Sequence, residues 1–459
     1  MKINEFIFRE YDIRGEVAVD FPEEVVAALG KAFATIVKRR GGKKITLSGD
    51  VRLTTPQLKE YFKAGALSTG IDVMDIGILP TPGNYFSVFH FENDVDGACQ
   101  ITGSHNPPEF NGFKLTYDQL AFFGQDIQDM LALIKTDDFE TGTGTASDYD
   151  LLPEYIDNVV QGIDLKRPMR IAIDSGNAAA ALCAVEVYER LGCEVTALYC
   201  DVDGTFPNHH PDPTVPANLK DLQDEIKRGG YDVGLAFDGD ADRLGVIDEK
   251  GNVVWADYQM ILFAQDVIKS KDDKIIFDVK CSQALEEKIT EFGGTPVMYK
   301  TGHSHIKSHM KTLGSPFSGE MSGHLFFADR YFGFDDAIYN GGRMLELLSK
   351  TDRPLSEMVD ELPKYYSTPE IRLTCNSDSE KFEIAEKAVD YFKANYDCIT
   401  VDGVRVRFGD GWGLVRASNT QPVLVVRFEA KTKERMEEIQ KLMMDKIGEF
   451  GEVRLDEGH

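Results

Sequence analysis

The chain contains no Cys-x-x-Cys pair. Its seven cysteines (Cys99, Cys183, Cys193, Cys200, Cys281, Cys375 and Cys398) are odd in number and scattered over 459 residues. That pattern excludes a zinc-finger framework or a disulfide scaffold and predicts reduced thiols in a cytoplasmic protein. Apolar runs are short, and none is long enough to span a bilayer. The opening Met1-Lys2-Ile3-Asn4-Glu5-Phe6 lacks the apolar core of a signal peptide. Low-complexity tracts are absent. Positive charge is scarce: 50 Lys and Arg stand against 77 Asp and Glu, a net charge of -27. Such a surface repels nucleic acid and anionic membrane, so neither is an expected partner. It also repels a phosphorylated substrate. Any anion site must therefore be assembled locally, from a few clustered cations and backbone N–H groups.

What is present is globular. The hydrophobic fraction of 42% is ordinary, and the length predicts about three to four domains. Three segments share one pattern, a short apolar strand ending in aspartate: 44–50, 169–174 and 274–278. Each runs into a helical stretch (182–191 and 284–292 in the second and third). Each helix stops near glycine (Gly70, Gly192, Gly293-Gly294) and yields to a second strand, at 72–76, 194–199 and 296–299. Strand–helix–strand is the unit of a parallel sheet covered by helices. Its recurrence predicts three α/β domains related by duplication. The remainder reads as a small α+β domain. A capping box at Ser377 and Glu380 precedes a helix with Phe382, Ala385, Val389 and Phe392 on one face. An Asp402-Gly403 hairpin turn and a charged helix from about Lys433 to Ile447 follow. The expected domains are 1–150, 151–253, 254–366 and 367–459, with 141–147 as a Gly/Thr-rich linker.

Two short runs carry the chemistry. Thr102-Gly103-Ser104-His105-Asn106-Pro107-Pro108 offers a hydroxyl nucleophile beside an imidazole, with Asn-Pro suited to a turn or helix start. An ordinary turn is the competing reading. Asp238-Gly239-Asp240-Ala241-Asp242-Arg243 offers three carboxylates at two-residue spacing after a buried strand. Alternate side chains of an extended loop can converge on one ion, and hard oxygens suit Mg²⁺. Arg243 is placed to neutralise charge on a transferring group. An EF-hand loop also matches, with aspartates at its first, third and fifth positions and Glu249 at its twelfth. It fails where its sharp turn needs glycine and this chain has Arg243. A hydroxyl, a divalent-metal site and an arginine are the parts of phosphoryl transfer. Two further clusters read as contacts for an anion and a polyol: Arg416-Ala417-Ser418-Asn419-Thr420, and Gly319-Glu320-Met321-Ser322-Gly323-His324. Taken singly, each is more often a polar turn.

Together these runs, in this order, resemble the α-D-phosphohexomutase superfamily, most closely its bacterial phosphomannomutase/phosphoglucomutase branch. Phe8-Arg9-Glu10-Tyr11-Asp12-Ile13-Arg14-Gly15, Asp278-Val279-Lys280 and Lys300-Thr301-Gly302-His303 add to the likeness, which covers the whole chain. The resemblance implies three related α/β domains with mixed sheets and a smaller α+β domain, around a central cleft. It implies an enzyme that interconverts hexose 1-phosphate and hexose 6-phosphate through a phosphorylated Ser104, with a hexose 1,6-bisphosphate as intermediate and activator. Asp238, Asp240, Asp242 and the phosphoserine would hold Mg²⁺. Glu320, Ser322 and His324 would bind the sugar, and Arg416, Ser418, Asn419 and Thr420 its non-reacting phosphate. Tyr11, Arg14, Lys114, Arg243, Lys280 and His303 would line the cleft. His105, Lys114 and His324 remain unranked as general acid and base. Phosphoglucosamine mutase is the nearest alternative, although it typically has Gln where this chain has Met321; a non-catalytic sugar-phosphate-binding protein is a more distant one. Departing from many relatives, the turn after Asp174 is Ser-Gly-Asn-Ala-Ala-Ala-Ala rather than glycine-rich.

Overall fold

The computed structural model describes residues 3–418 and 423–455. Its strands form four sheets. In the first, Lys44–Gly49 lies between Asp72–Ile78 and Gly97–Ile101, parallel to both, and Gly97–Ile101 pairs antiparallel with Phe110–Tyr117. The second repeats the arrangement. Arg170–Asp174 lies parallel to Glu194–Leu198 and Val233–Phe237, and the latter pairs antiparallel with Leu244–Asp248. The third does so again with Lys274–Asp278, Thr295–Tyr299, Phe317–Gly319 and Leu325–Phe327. The repeat read from three strand–helix–strand segments therefore extends further. Each copy adds a third, parallel strand and a fourth, antiparallel one.

This extension positions the chemistry. The connection from third strand to fourth is 102–109 in the first copy, 238–243 in the second and 320–324 in the third. These are the serine, aspartate and Gly-Glu-Met-Ser-Gly-His runs, all at one topological place. The aspartate that closes each first strand sits beside that connection, because first and third strands run parallel. Ligand sites in open α/β sheets form outside the carboxyl ends of strands, and three such ends here face one cleft.

The fourth sheet is antiparallel throughout and carries two long helices, Asp378–Asn395 and Lys433–Phe450. Ser377 accepts from the Glu380 N–H at 3.2 Å, as a capping box requires. The Glu380 carboxylate reaches back to the Asn376 N–H at 2.9 Å, one residue before the cap. Three corrections arise here. Phe382 is 49% exposed; Ile384, Ala388 and Phe392 make the buried face with Ala385. Asp402-Gly403 is not a two-residue hairpin turn, since Ile399 pairs with Arg405 and the connection is longer. Segment 141–147 is no free linker: Gly142 and Gly144 donate to Ser68 and Leu67 carbonyls, and Ala146–Asp148 adds a parallel edge strand to Asp72–Ile78. Gly-Thr composition suggests a linker, whereas glycine here permits close backbone approach.

One hydrophobic core runs through the second and third copies and takes in Ile76, Leu79, Tyr85 and Phe86 from the first. A second fills the first copy and a third the C-terminal unit. The C-terminal unit is docked by arginines. Arg405 lies 3.6 Å over the Trp412 ring and donates to the carbonyls of Val279 and Cys281, both at 2.7 Å. Glu429 accepts from the Gln283 N–H at 2.8 Å and from Trp412 Nε1 at 2.7 Å. All seven cysteines are free thiols. No helix among the described residues is long and apolar enough to cross a membrane.

Candidate active site

The serine loop is tied down from beneath. Asp50, at the end of the first strand, accepts from Thr102 Oγ1 (2.8 Å) and the Gly103 N–H (3.2 Å) through Oδ2, and from the Arg52 N–H (3.0 Å) and Thr55 Oγ1 (2.7 Å) through Oδ1. Arg52, fully buried, donates to the carbonyls of Ser104, Asn106, Pro107 and Phe110 at 2.5–3.0 Å. A Cβ on Gly103 would meet that guanidinium at 2.5 Å, which explains the glycine. The loop turns without starting a helix: Asn106 donates to the Gly103 carbonyl at 2.9 Å, and the next element is the strand from Phe110. Of the two readings of Asn106-Pro107, a turn or a helix start, the turn is the one formed. Ser104 adopts φ 48°, a left-handed backbone that aims its side chain across the cleft.

What Ser104 meets is the aspartate loop. Its Oγ donates to Asp238 Oδ2 at 3.0 Å and lies 3.2 Å from His105 Nδ1. Gly239 packs directly against the Ser104 carbonyl, with no room for a side chain. Asp238, Asp240 and Asp242 are all fully buried, with a carboxylate oxygen from each within 4.8 Å of the others. Three domains hold this loop. Thr81 donates to Asp240 through its hydroxyl (2.5 Å) and its N–H (2.9 Å), Ala179 N–H to the Gly239 carbonyl (3.2 Å), and Ala337 N–H to the Ala241 carbonyl (3.1 Å). Asp240 Oδ1 and Asp242 Oδ1 are buried without a hydrogen-bond partner. Orphaned oxygens on clustered carboxylates fit a cation. An EF-hand is excluded: Leu244–Asp248 is a strand, and Glu249 binds Ser356.

Lys114, from the fourth strand of the first copy, puts Nζ 2.7 Å from Asp240 Oδ2 and 2.5 Å from Asp242 Oδ2. Burial opposes its charge, but the two carboxylates outweigh burial and hold the ammonium well above its usual range. Asp238 also shifts upward, which for a carboxyl favours the neutral form: burial, then its neighbours Asp242 and Asp240, raise it well above the usual carboxylate range. Burial, followed by the Arg243 and Arg14 guanidinium groups, keeps His105 well below its usual value and neutral. Arg243 donates from Nε to His324 Nε2 at 2.9 Å. An Nε2 that accepts carries no proton, so the His324 proton is on Nδ1, which lies 3.0 Å from Asp335 Oδ2. His303 stacks on His324 with centroids 5.3 Å apart, and Lys307 donates to Asp335 Oδ1 at 2.8 Å.

The far side of the cleft carries the remaining predicted residues. Glu320 Oε1 accepts from the Gly302 N–H at 2.5 Å, and Ser322 is half-buried at the tip of the same turn. Lys280 Nζ lies 3.2 Å from Glu370 and 3.7 Å from Asp278. Tyr11 donates its hydroxyl to the Thr301 carbonyl at 2.8 Å, and Arg14 pairs with Asp12 at 2.5 Å. Arg416, in the strand Gly411–Ala417, donates Nε to Asp402 Oδ2 at 2.9 Å; the same oxygen accepts from the Thr301 N–H at 3.1 Å. Ser418 follows that strand and is buried. Asn419 and Thr420 lie outside the described residues. The structure thus brings Ser104, His105, Lys114, Arg243, His324 and the three aspartates into one buried cluster. The Arg416 group stands apart from it, joined through Asp402 and Thr301. Sequence reasoning missed Arg52, Thr81, Asp335, Lys307 and Asp402. Asp50 alone had a signal, as one of the three strand-ending aspartates.

Four family models match in order: phosphoglucomutase/phosphomannomutase alpha/beta/alpha domain I over 5–141, domain II over 153–251, domain III over 255–366, and the C-terminal domain over 370–446. A phosphoglucomutase of Neisseria meningitidis serogroup A is 46% identical over 440 residues, covering 95% of each chain. A phosphomannomutase/phosphoglucomutase of Pseudomonas aeruginosa is 43% identical over 445 residues, covering 96% of this chain and 95% of that one. The crystal structure of a phosphoglucomutase/phosphomannomutase family protein from Burkholderia thailandensis superposes with a TM-score of 0.92 at 39% identity, over 98% of this chain and 100% of the other. Repeated mixed α/β domains around a buried serine–carboxylate centre define a phosphoryl-transfer fold. This chain belongs to the phosphoglucomutase/phosphomannomutase family.

Proposed function

We propose that the chain interconverts hexose 1-phosphate and hexose 6-phosphate, with glucose or mannose as the sugar, through a phosphoserine at Ser104 and a hexose 1,6-bisphosphate. The observation that carries this reading is the Ser104 Oγ, 3.0 Å from Asp238 and 3.2 Å from His105 where three domains meet. In the first half-reaction the P–Oγ bond of phosphoserine breaks as a bond forms from phosphorus to the free sugar hydroxyl. That hydroxyl's proton must go to a base. Lys114 is held protonated by two carboxylates and so serves as a positive charge rather than as the base. His324 has a basic Nε2, occupied here by Arg243. When Arg243 turns to the transferring phosphoryl group, that nitrogen is free to take the proton, with Asp335 steadying the imidazolium. His105, neutral and beside Oγ, takes the serine proton when the phosphate returns.

Asp238, Asp240, Asp242 and the serine phosphate would hold Mg²⁺, to which the all-oxygen donor set is suited. Bound there, the ion would spread the charge of the transferring group. Glu320 and Ser322 address the sugar hydroxyls, and Arg416, Ser418, Asn419 and Thr420 the phosphate that does not react. Tyr11, Arg14, Lys280 and His303 line the path between. The bisphosphate must present either end to Ser104, so one cradle serves a phosphate on C1 or on C6. A bisphosphate supplied from outside would recharge Ser104 and so activate the enzyme. Glucose and mannose differ only at C2, and dual use of the two follows if the loop reads the other hydroxyls. Free thiols throughout favour a reducing cytoplasm. A coupled assay with glucose, mannose and glucosamine 1-phosphates tests the reading. Turnover of the first two with Mg²⁺ is expected; turnover of glucosamine 1-phosphate alone would make the chain a phosphoglucosamine mutase instead.

A further inference from the structure

Away from the cleft, a pocket of about 380 Å³ opens between the first and third α/β domains. Its walls come from two helices, Thr81–His90 and His303–Leu313, the hairpin end around Gln119 and the loop 328–334. Tyr85, Phe89, Phe332 and Phe334 make an aromatic face. Phe89 and Phe332 have centroids 4.8 Å apart, and Phe332 stacks on Phe334 at 5.7 Å and 8°. Phe332 remains 38% exposed at the rim. Two cations enter the same space. Lys307 lies 3.8 Å over the Tyr85 ring, and Lys311 stands one turn further along its helix, exposed at the mouth.

The charge of the lining stands out against the rest of the molecule. The chain carries 77 acidic residues and a net charge of -27, yet no Asp or Glu lines this pocket. A concave site of this size, mostly apolar with few polar groups, is built like a small-molecule site. Both wall helices also reach the cleft. Thr81, one turn before Tyr85, holds Asp240. His303, one turn before Lys307, stacks on His324. Lys307 itself donates to Asp335, whose other oxygen lies 3.0 Å from His324 Nδ1.

We infer that this pocket binds a small amphipathic organic anion, a carboxylate on a compact ring or branched body, and that Lys307 relays its occupancy to His324. The body lies against the phenylalanines and the carboxylate between Lys311 and Lys307. A ligand carboxylate competes with Asp335 for the Lys307 ammonium. As Lys307 is drawn outward, Asp335 is left to His303 and His324 alone. Linkage makes the effect mutual, so the sugar phosphate and the pocket ligand change each other's affinity by one factor.

The test uses 3-phenylpropionate as the probe, titrated calorimetrically into the full-length protein. Binding is read without turnover and does not depend on the proposed activity. Saturable one-site binding is expected, with a Kd of about 0.1–1 mM for a ligand of this size. Lys311→Glu should weaken it by about tenfold or more and Phe332→Ala by about threefold or more. Both positions are exposed at the rim, and unchanged melting temperatures will confirm that the variants fold. Propionate and 3-phenylpropanol, each lacking half of the proposed chemistry, should bind about tenfold more weakly than the probe. Saturating probe should move the KM for glucose 1-phosphate by about twofold or more in the native protein and leave it unmoved in Lys311→Glu. Absence of saturable binding, or equal affinity in Lys311→Glu, overturns the site. An unmoved KM in the native protein overturns the relay.

Discussion

The first and third α/β domains place the same residue at the same point and use it with different force. Asp50 closes the first strand of one copy and Asp278 that of the other. Each accepts an N–H from the loop that follows the third strand: Gly103 at 3.2 Å and Met321 at 3.1 Å. Asp50 takes four further donors, one of them Arg52 Nε at 3.2 Å, and Arg52 in turn binds four loop carbonyls. Asp278 accepts besides from Thr301 Oγ1 at 3.0 Å and the Cys281 thiol at 3.1 Å, with Lys280 Nζ 3.7 Å away, and Met321 and Ser322 stay half-exposed. Under the proposed function, the loop whose oxygen would form and break bonds is the one tied down by many contacts. The loop that would read a sugar in two orientations is held at its base and left open at its tip. A misplacement of the reacting atom by an ångström is costly, whereas hydroxyl recognition tolerates adjustment.

The sharpest way to break the comparison is to remove the atom being held. Ser104→Ala should lower kcat by about ten-thousand-fold or more while sugar-phosphate binding is largely kept. Intact mass after incubation with a hexose bisphosphate should show a phosphoryl adduct on the native protein only. Chelation should abolish activity and Mg²⁺ restore it, with Asp240→Asn raising the Mg²⁺ requirement; full turnover in excess chelator would exclude a role for the ion. Next come the two anchors. Asp50→Asn should cut kcat by about a hundredfold with KM little changed, since it loosens the reacting loop. Asp278→Asn should act chiefly on KM, by about tenfold or less. Equal effects of the two on kcat would erase the distinction. Arg416→Ala removes one charge-assisted phosphate contact in each orientation, so kcat/KM should fall by about ten- to a hundredfold in both directions. Loss in one direction only would place the cradle elsewhere.

The smallest effect belongs to the second domain, whose anchor departs from the pattern. Asp174 holds His209, at 3.0 Å, instead of the aspartate loop, and the neighbouring His210 donates to the His105 carbonyl. Burial lowers the His209 pKa, but the Asp174 hydrogen bond and charge more than offset it, so the imidazolium is favoured above its usual value. A proton held more tightly when folded adds stability below the unfolded pKa, and that stability is lost as pH rises through the folded value. Folding stability should therefore lose a component worth less than about 1 kcal/mol as pH rises from about 6.5, read as a fall in melting temperature. His209→Gln should flatten that slope; an unchanged slope would show that the pair is not coupled to folding.

Legibility in the sequence followed the range of the interaction. Asp50, Asp174 and Asp278 were visible because local apolar periodicity marks strand ends, and the three loops because their functional groups are contiguous. The third and fourth strands of each copy were not assigned to the repeat, since Phe317–Gly319 and Leu325–Phe327 are too short to show a period. Thr81, Asp335 and Arg52 stayed hidden because each acts on residues more than fifty positions away or, as with Asp335, through a tertiary contact with no local motif. Phe382 misled because helical spacing alone does not say which apolar stripe is covered. Segment 141–147 misled because glycine reads the same whether the chain is loose or closely packed.

Ser104 and Ala241 sit on two loops that touch, since Gly239 packs against the Ser104 carbonyl, and both carry a β-carbon on left-handed backbone, with φ 48° and φ 61°. Glycine would occupy either position with about 1 kcal/mol less strain. Selection for thermal robustness alone would thus drift toward erasing the serine, and its persistence would record what the cell needs done rather than what the fold prefers. In a mutational library sorted by abundance, position 104 should stand out as one where the fittest folder is a dead enzyme.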